Sequence, residues 1–400
     1  MSSNTQKIRN IEKRFLRSYL LCKSKFSFVL LTYIFLLHLS IIISMKLVVH
    51  KIPCPEQALQ LKLVLGGGQS FRWKEIDENK WRGVFASKIW TLSRDDNYLY
   101  YEVHPSNHNS SKVSKLKKKS ELANGDSDGL SDEDVLRQYL RLDVPLKKLY
   151  TEWSERDPLF KRVSGNFHGV RMLRQDVIEN IFSFICSSNN NIIRISSMVE
   201  KLCLFYGKEI GSVDGVKYHS FPNVSALADS SVEAKLRNAG FGYRAKFIQQ
   251  SAAKIVAAGE EEWLSNLQKM SYSDAKKVLM TLTGIGAKVA DCICLMSLNH
   301  LEAIPVDTHV FQIAQRYLPH LRKCKTVTDR VYNEIGEYFR TMYGEYAGWA
   351  HTILFCADLK KFQGDLPPEI GAEIKSIKRS KSNGANEDLK SKKSKVKKVK

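Results

Sequence analysis

None of the eight cysteines, Cys22, Cys54, Cys186, Cys203, Cys292, Cys294, Cys324 and Cys356, stands in a Cys-x-x-Cys pair, and no His-x-His or His-rich cluster accompanies them. That spacing excludes the common zinc ribbons and dithiol redox motifs, and it implies no resident metal or cofactor. It fits reduced, mostly buried thiols in an intracellular protein. Acids are scarce at both ends. Residues 1–46 carry eight Lys or Arg against one Glu, and residues 375–400 carry eleven against one Glu and one Asp. The ends thus hold +7 and +9 of the formal net charge of +20, leaving +4 for the rest. A basic balance placed in the termini does not by itself establish a nucleic-acid partner. That case has to rest on motifs.

Charge is also missing from Phe26 to Ser44, nineteen residues preceded by Arg17, Lys23 and Lys25. Such a run is long enough to span a bilayer and longer than a usual signal-peptide core. Three readings compete: an anchor, an organelle-targeting leader, and a stretch upstream of a true start at Met45. The third is preferred and the leader comes second, because everything after Met45 reads as a soluble protein. The expectation is a mature chain beginning at or after Met45, with no stable membrane partner.

The remainder, in a chain that is 43% hydrophobic, is enough for two domains with real cores. The pattern predicts an α+β chain in four parts. Residues 1–45 are an extension. Residues 46–165 form an antiparallel sheet domain with a polar, Lys-rich insertion at 105–131. Residues 166–368 form a helical domain, and residues 369–400 a basic disordered tail. Short strands are predicted at 61–65, 70–73, 81–85, 88–92 and 98–103, rich in aromatic and β-branched residues. Gly66-Gly67-Gly68 would then lie between two strands. Helices are predicted at 132–142, 175–187, 192–206, 231–238, 243–258, 271–282 and 287–298. Ser231 is placed to cap one of them and Gly240 to end it.

The chemistry concentrates in Leu282-Thr283-Gly284-Ile285-Gly286-Ala287-Lys288. Two glycines around one residue allow a tight turn between two helices. The turn should leave the amides of Ile285 to Lys288 free at a helix start, where they can cradle a phosphate. An ordinary helical corner is the plain alternative. Lys288 argues against it, because a cation in the first turn opposes the helix dipole, and such a lysine can serve as an amine nucleophile. Nineteen residues on, Asp307 in Pro305-Val306-Asp307-Thr308-His309-Val310 is placed to cap the next helix.

A hairpin, a lysine and a capping Asp in this order resemble the helix-hairpin-helix DNA glycosylases. Four further stretches narrow the resemblance: 68–73, 182–191, 242–245 and 286–296. With them the chain from about Pro53 to about Leu359 resembles the eukaryotic 8-oxoguanine DNA glycosylase/AP lyases. The resemblance implies an antiparallel sheet domain followed by an all-helical helix-hairpin-helix domain. It implies removal of oxidised purines paired with cytosine from double-stranded DNA, by base flipping, a lysine Schiff base and β-elimination, without a cofactor. Lys288 and Asp307 would be catalytic. Gly68, Cys292, His351 and Phe355 would line the base pocket. Asn189, Arg194, Tyr243, Arg244, Gly284, Gly286 and His309 would contact DNA. The implied protein is a monomer acting in the nucleus, with a mitochondrion or other organelle second.

Two features depart from a simple transfer. Some members of the superfamily carry an iron–sulfur cluster after the catalytic Asp. Only Cys324 and Cys356 follow Asp307 here, too few for four thiolates. And His351 stands where the family pattern has a glutamine, so its hydrogen-bonding edge differs. The alternatives are a glycosylase for another lesion and a non-catalytic hairpin scaffold.

Overall fold

The structure is a computed structural model that describes residues 48–105 and 129–359. Two compact units divide the chain, Met1–Val49 and His50–Lys400. Of the first, only Val48 and Val49 are described, and both are exposed. The apolar run 26–44, most of the Lys-rich insertion and the basic tail lie outside the described residues. Among the described residues no helix is long and apolar enough to cross a membrane.

The second unit begins with five strands: β1 (His50–Pro53), β2 (Trp73–Asp77), β3 (Lys80–Phe85), β4 (Lys88–Arg94) and β5 (Tyr98–His104). They form one antiparallel sheet in the order β1-β5-β4-β3-β2. Between β1 and β2 runs helix α1 (Leu61–Gly66). Then follow α2 (Asp132–Tyr139), α3 (Leu146–Arg156), α4 (Pro158–Ser164), α5 (Val177–Ile185) and α6 (Ile192–Tyr206). A hairpin of β6 (Glu209–Val213) and β7 (Val216–His219) comes next. The rest is helical: α7 (Val224–Ala228), α8 (Val232–Asn238), α9 (Arg244–Ala257), α10 (Glu260–Lys269), α11 (Tyr272–Met280), α12 (Ala287–Ser297), α13 (Thr308–Tyr317), α14 (Asp329–Tyr343) and α15 (Ala347–Asp358).

Trp73, Trp81, Trp90, Leu92, Leu99 and Tyr101 of the sheet share one core with Leu136 and Tyr139 of α2. The opposite face is covered too. Val84 and Ile89 pack on Ile210 of the β6–β7 hairpin. Buried Arg82 fastens that hairpin, with Nε donating to Thr91 Oγ1 at 3.0 Å and Nη1 paired with Asp214 at 2.8 Å. Helices α3 to α15 surround a second, larger core.

Residues 61–65, expected as a strand, are helix α1. Leu61, Val64 and Leu65 face the sheet core, while Leu63 joins the helical core. Only Lys62 of these five residues is exposed, and a run this short and apolar has no period that separates helix from strand. The stretch 70–73 is likewise not a strand before Trp73. Phe71 leaves it for the helical core, edge-on to Phe184 at 5.6 Å. Gly66 therefore ends a helix, with Gly67 and Gly68 after it, and the three do not join two strands. Ser231 does not cap α8; its hydroxyl donates to Asp229 at 2.6 Å from a helical backbone. Strand β1 and the hairpin β6–β7 were not anticipated. Asp214-Gly215 carried the signal for the hairpin, with both residues at positive φ as a type I′ turn demands.

Candidate active site

Helices α11 and α12 form the hairpin, and α9 braces it from behind. Ser251 Oγ donates to Thr283 O at 3.0 Å, and Lys254 Nζ to Thr281 O at 2.8 Å. The two glycines differ in kind. Gly284 has φ +84°, and a Cβ there would collide with the Phe247 ring. Gly286 has φ −95°, and a Cβ there would meet nothing. The first serves the turn; the second keeps open the space before the α12 amides. Ile285, expected to present a free amide, instead donates to Leu282 O at 3.3 Å. The amides of Ala287 and Lys288 are left without intrahelical acceptors, as at any helix start.

This contrast yields an expected result. Gly284→Ala should lower unfolding free energy by about 1–3 kcal/mol, because it adds both strain and overlap. Gly286→Ala should leave stability within about 0.5 kcal/mol, yet weaken binding to duplex DNA. Urea unfolding and a fluorescence titration measure the two effects. Equal stability losses would remove the distinction.

Lys288 lies in the first turn of α12. Its Nζ sits 5.2 Å from the centre of the Phe184 ring and bonds the Cys292 thiol one turn on. Burial pushes that thiol up to about 11, with the Lys288 charge acting the other way. Asp307 caps α13: its Oδ1 accepts from the amides of His309 and Val310, both at 2.9 Å. Oδ2 takes no part in the cap. Lys288 and Asp307 line one cavity with Gly68, Cys292, His351 and Phe355. All six residues that the sequence proposed for catalysis and the base pocket therefore meet in one place.

His351 is 2% exposed, and the Phe339 ring stands edge-on to it at 5.2 Å. Burial drives its imidazole down to about 4, with the nearby Asp307 charge opposing. The ring is neutral at physiological pH, so one nitrogen donates and the other accepts. Among the described residues its Nε2 has no hydrogen-bond partner. Gly68 has φ +87°, which brings the chain close against Ile192.

Eight further lining residues were missed as site residues, among them Gly67, Gln69, Phe184 and Met296. Gln69 is the informative one. Its side chain donates to Arg171 O at 2.8 Å and accepts from Leu173 N at 2.9 Å. Its own carbonyl accepts from Gln175 Nε2 at 2.8 Å. Clamped on both sides, it fixes the neighbouring Gly68. A glutamine directly after three glycines was the available signal.

None of the residues proposed to contact DNA lines that cavity. The three asparagines divide their tasks. Asn189 is exposed at φ +47°, Asn190 donates to Cys186 O at 2.9 Å, and Asn191 caps α6. Tyr243 is half-exposed and donates to Ser188 O at 3.1 Å. Arg194 is exposed, its guanidinium 3.4 Å from Gly240 O. Arg244 was expected to contact DNA together with Arg194. It is 4% exposed, stacked on Tyr243, and donates to the carbonyls of Ser188 and Asn189. Arg244 is thus the brace that holds Asn189 outward. His309 bonds Asp358 through Nδ1 at 2.9 Å and stands edge-on to Phe355.

Comparison with known proteins agrees with this geometry. The N-terminal domain of 8-oxoguanine DNA glycosylase matches residues 51–181. The HhH-GPD superfamily of base excision DNA repair proteins matches residues 182–337. N-glycosylase/DNA lyase OGG1 of Arabidopsis thaliana is 39% identical over 306 residues, covering 75% of this chain and 78% of that protein. The structure of MBOgg1 with a low-affinity DNA ligand has TM-score 0.63 at 27% identity, covering 78% of this chain and 98% of that one. The Clostridium acetobutylicum 8-oxoguanine glycosylase/lyase, solved with duplex DNA bearing cytosine opposite 8-oxoguanine, has TM-score 0.59 at 25% identity and covers 75% and 91%. A hairpin beside a lysine and a capping aspartate, on a chain matched over residues 51–337 by these two families, has one reading: the chain belongs to the 8-oxoguanine DNA glycosylases of the helix-hairpin-helix base excision repair superfamily, and is a DNA N-glycosylase with lyase activity.

Proposed function

We propose that this enzyme removes 8-oxoguanine paired with cytosine and then nicks the strand through Lys288. The observation that carries the reading is the shared cavity, in which a first-turn lysine and a carboxylate with one uncommitted oxygen face a gap between Gly68 and Phe355. A base inside a duplex is out of reach of that cavity, so it must rotate out of the stack. The open space at Gly286 and the α12 amides suit the DNA phosphate that anchors the movement. Exposed Asn189 and Tyr243 are placed to fill and wedge the gap left behind. His309 is placed to meet a second phosphate.

In the cavity, Phe355 and Cys292 would lie against the two faces of the base. The Gly68 carbonyl would accept from N7–H, a donor that unoxidised guanine lacks. Neutral His351 would meet the opposite edge. The unshared pair of the Lys288 amine attacks C1′, and the bond from C1′ to the base breaks with its electrons leaving on the base. Opening of the sugar gives an imine between Nζ and C1′. The imine withdraws electrons, so a base can remove a proton from C2′. The C3′–O bond then breaks and the phosphate departs. Asp307 stabilises positive charge that develops at the sugar and the amine. The substrate places the protein with a genome, and the nucleus is the compartment we propose, with a monomer as the working unit.

Partner selectivity would come from Arg194, with Arg244 joining it where the loop carbonyls release the guanidinium. Guanidinium donors match the acceptors of cytosine and meet a donor on adenine. Duplexes with 8-oxoguanine opposite each of the four bases, assayed in single turnover, test this directly. Cytosine should be preferred, and Arg194→Ala should cost about 1–3 kcal/mol of that preference. Equal cleavage opposite all four bases would exclude the assignment.

A further inference from the structure

Away from the cavity, α12 turns a second side chain inward. Asp291 stands three residues after Lys288 and is fully buried. It accepts from Tyr272 Oη at 2.8 Å, from Lys276 Nζ at 2.8 Å and from Tyr332 Oη at 2.6 Å. A carboxylate held by three donors is well satisfied, and two of them, Tyr272 and Lys276, come from α11. They join the halves of the hairpin. Tyr332 is different. It reaches across from α14, and its hydroxyl also accepts the Val306 amide at 3.2 Å.

The bond to Val306 matters because of what surrounds it. Residues 303–307 lie in neither a helix nor a strand. Pro305 has no amide to give. Among the described residues, the backbone hydrogen bonds of the segment 304–306 are those made with Tyr332, through Val306 N and more distantly Ile304 O at 3.4 Å. Asp307 is the next residue. Its own Oδ1 is occupied by the α13 cap, so it cannot adjust independently of the chain that delivers it. One hydroxyl, 8% exposed as part of its residue, thus links the helix carrying the lysine to the segment carrying the aspartate.

We infer that Tyr332 is a positioning residue, whose hydroxyl sets Asp307 in register with Lys288 by bridging Val306 and Asp291. The inference rests on the catalytic reading of Asp307 given above. Tyr332 touches neither DNA nor the reacting atoms, so its removal should slow the chemistry and spare binding.

Tyr332→Phe keeps the ring and removes the bridge. The single-turnover excision rate should fall about tenfold to a hundredfold, the scale on which small misplacements act, while duplex affinity is unchanged. Tyr272→Phe is the matched control. It deletes a hydroxyl from the same carboxylate without touching residues 304–306, and its rate should stay native. A third comparison tests the route. Tyr332→Phe combined with Asp307→Asn should be no slower than Asp307→Asn alone, because the first change acts through the second. Should Tyr332→Phe fail to fold, Asp291→Asn replaces it and should give the same separation of rate from affinity. A native rate for Tyr332→Phe, equal slowing by the two tyrosine variants, or additive losses would each overturn the inference. If Asp307→Asn itself turns over normally, the catalytic reading falls and this one with it, and that result is distinct from the others.

Discussion

Lys288→Gln should abolish the borohydride-trapped protein–DNA adduct and reduce excision by about 10⁴- to 10⁶-fold, the scale of removing a covalent nucleophile. Glutamine retains the length and polarity of the side chain but cannot form an imine. The expected loss is therefore chemical and not architectural. Lys288 contributes no helix cap, and its contacts in the free protein are the Phe184 ring and the Cys292 thiol. Melting temperature and affinity for lesion-containing duplex should remain close to native. The decisive measurement is the mass of the reduced adduct on a denaturing gel. Undiminished trapping in the variant would move the nucleophile elsewhere. A retained fold with no adduct, alongside intact DNA binding, would also exclude the non-catalytic scaffold.

Asp307→Asn should bind lesion DNA normally and lose turnover by about 10²- to 10³-fold, as expected when one preorganised electrostatic group is removed. The structure makes this variant unusually clean. Oδ1 caps α13 by accepting from two amides, and an asparagine oxygen caps a helix about as well. What disappears is the negative charge of a carboxylate that lines the cavity. His351 reports the same change, because the Asp307 charge raises its imidazole against the larger downward effect of burial. Without that charge the His351 ring should protonate at still lower pH. Turnover near the native rate would reduce Asp307 to a helix cap.

Local chemistry explains which parts of this arrangement the sequence disclosed. Asp307 as a cap and Gly284 as a turn residue each depend on a few neighbouring backbone atoms, so a short window contains their cause. The cavity residues were legible through resemblance, since nothing in their spacing brings Gly68 to Phe355. Helix α1 was misread because it is short and buried apart from Lys62, which leaves no pattern that distinguishes a helix. The brace that Arg244 forms was not legible because its partners are carbonyls more than fifty residues away. A carbonyl leaves no mark on the identity of its residue. Tyr332 was invisible on the same ground: its acceptor is a side chain, but the group that it steers is a backbone amide.

The buried thiols carry a consequence for an enzyme whose substrate is made by oxidants. Of the seven described cysteines, six are buried and all seven are unpaired. Burial pushes Cys186, Cys203 and Cys356 up to about 12, and Cys292, beside Lys288, to about 11. Peroxide attacks the thiolate and not the thiol. At cellular pH these sulfurs are almost wholly protonated and out of contact with solvent. The fold therefore keeps its working pocket chemically durable under the conditions that generate the damage it repairs, and Cys292 can lie against a reactive amine without becoming the residue that oxidation disables first.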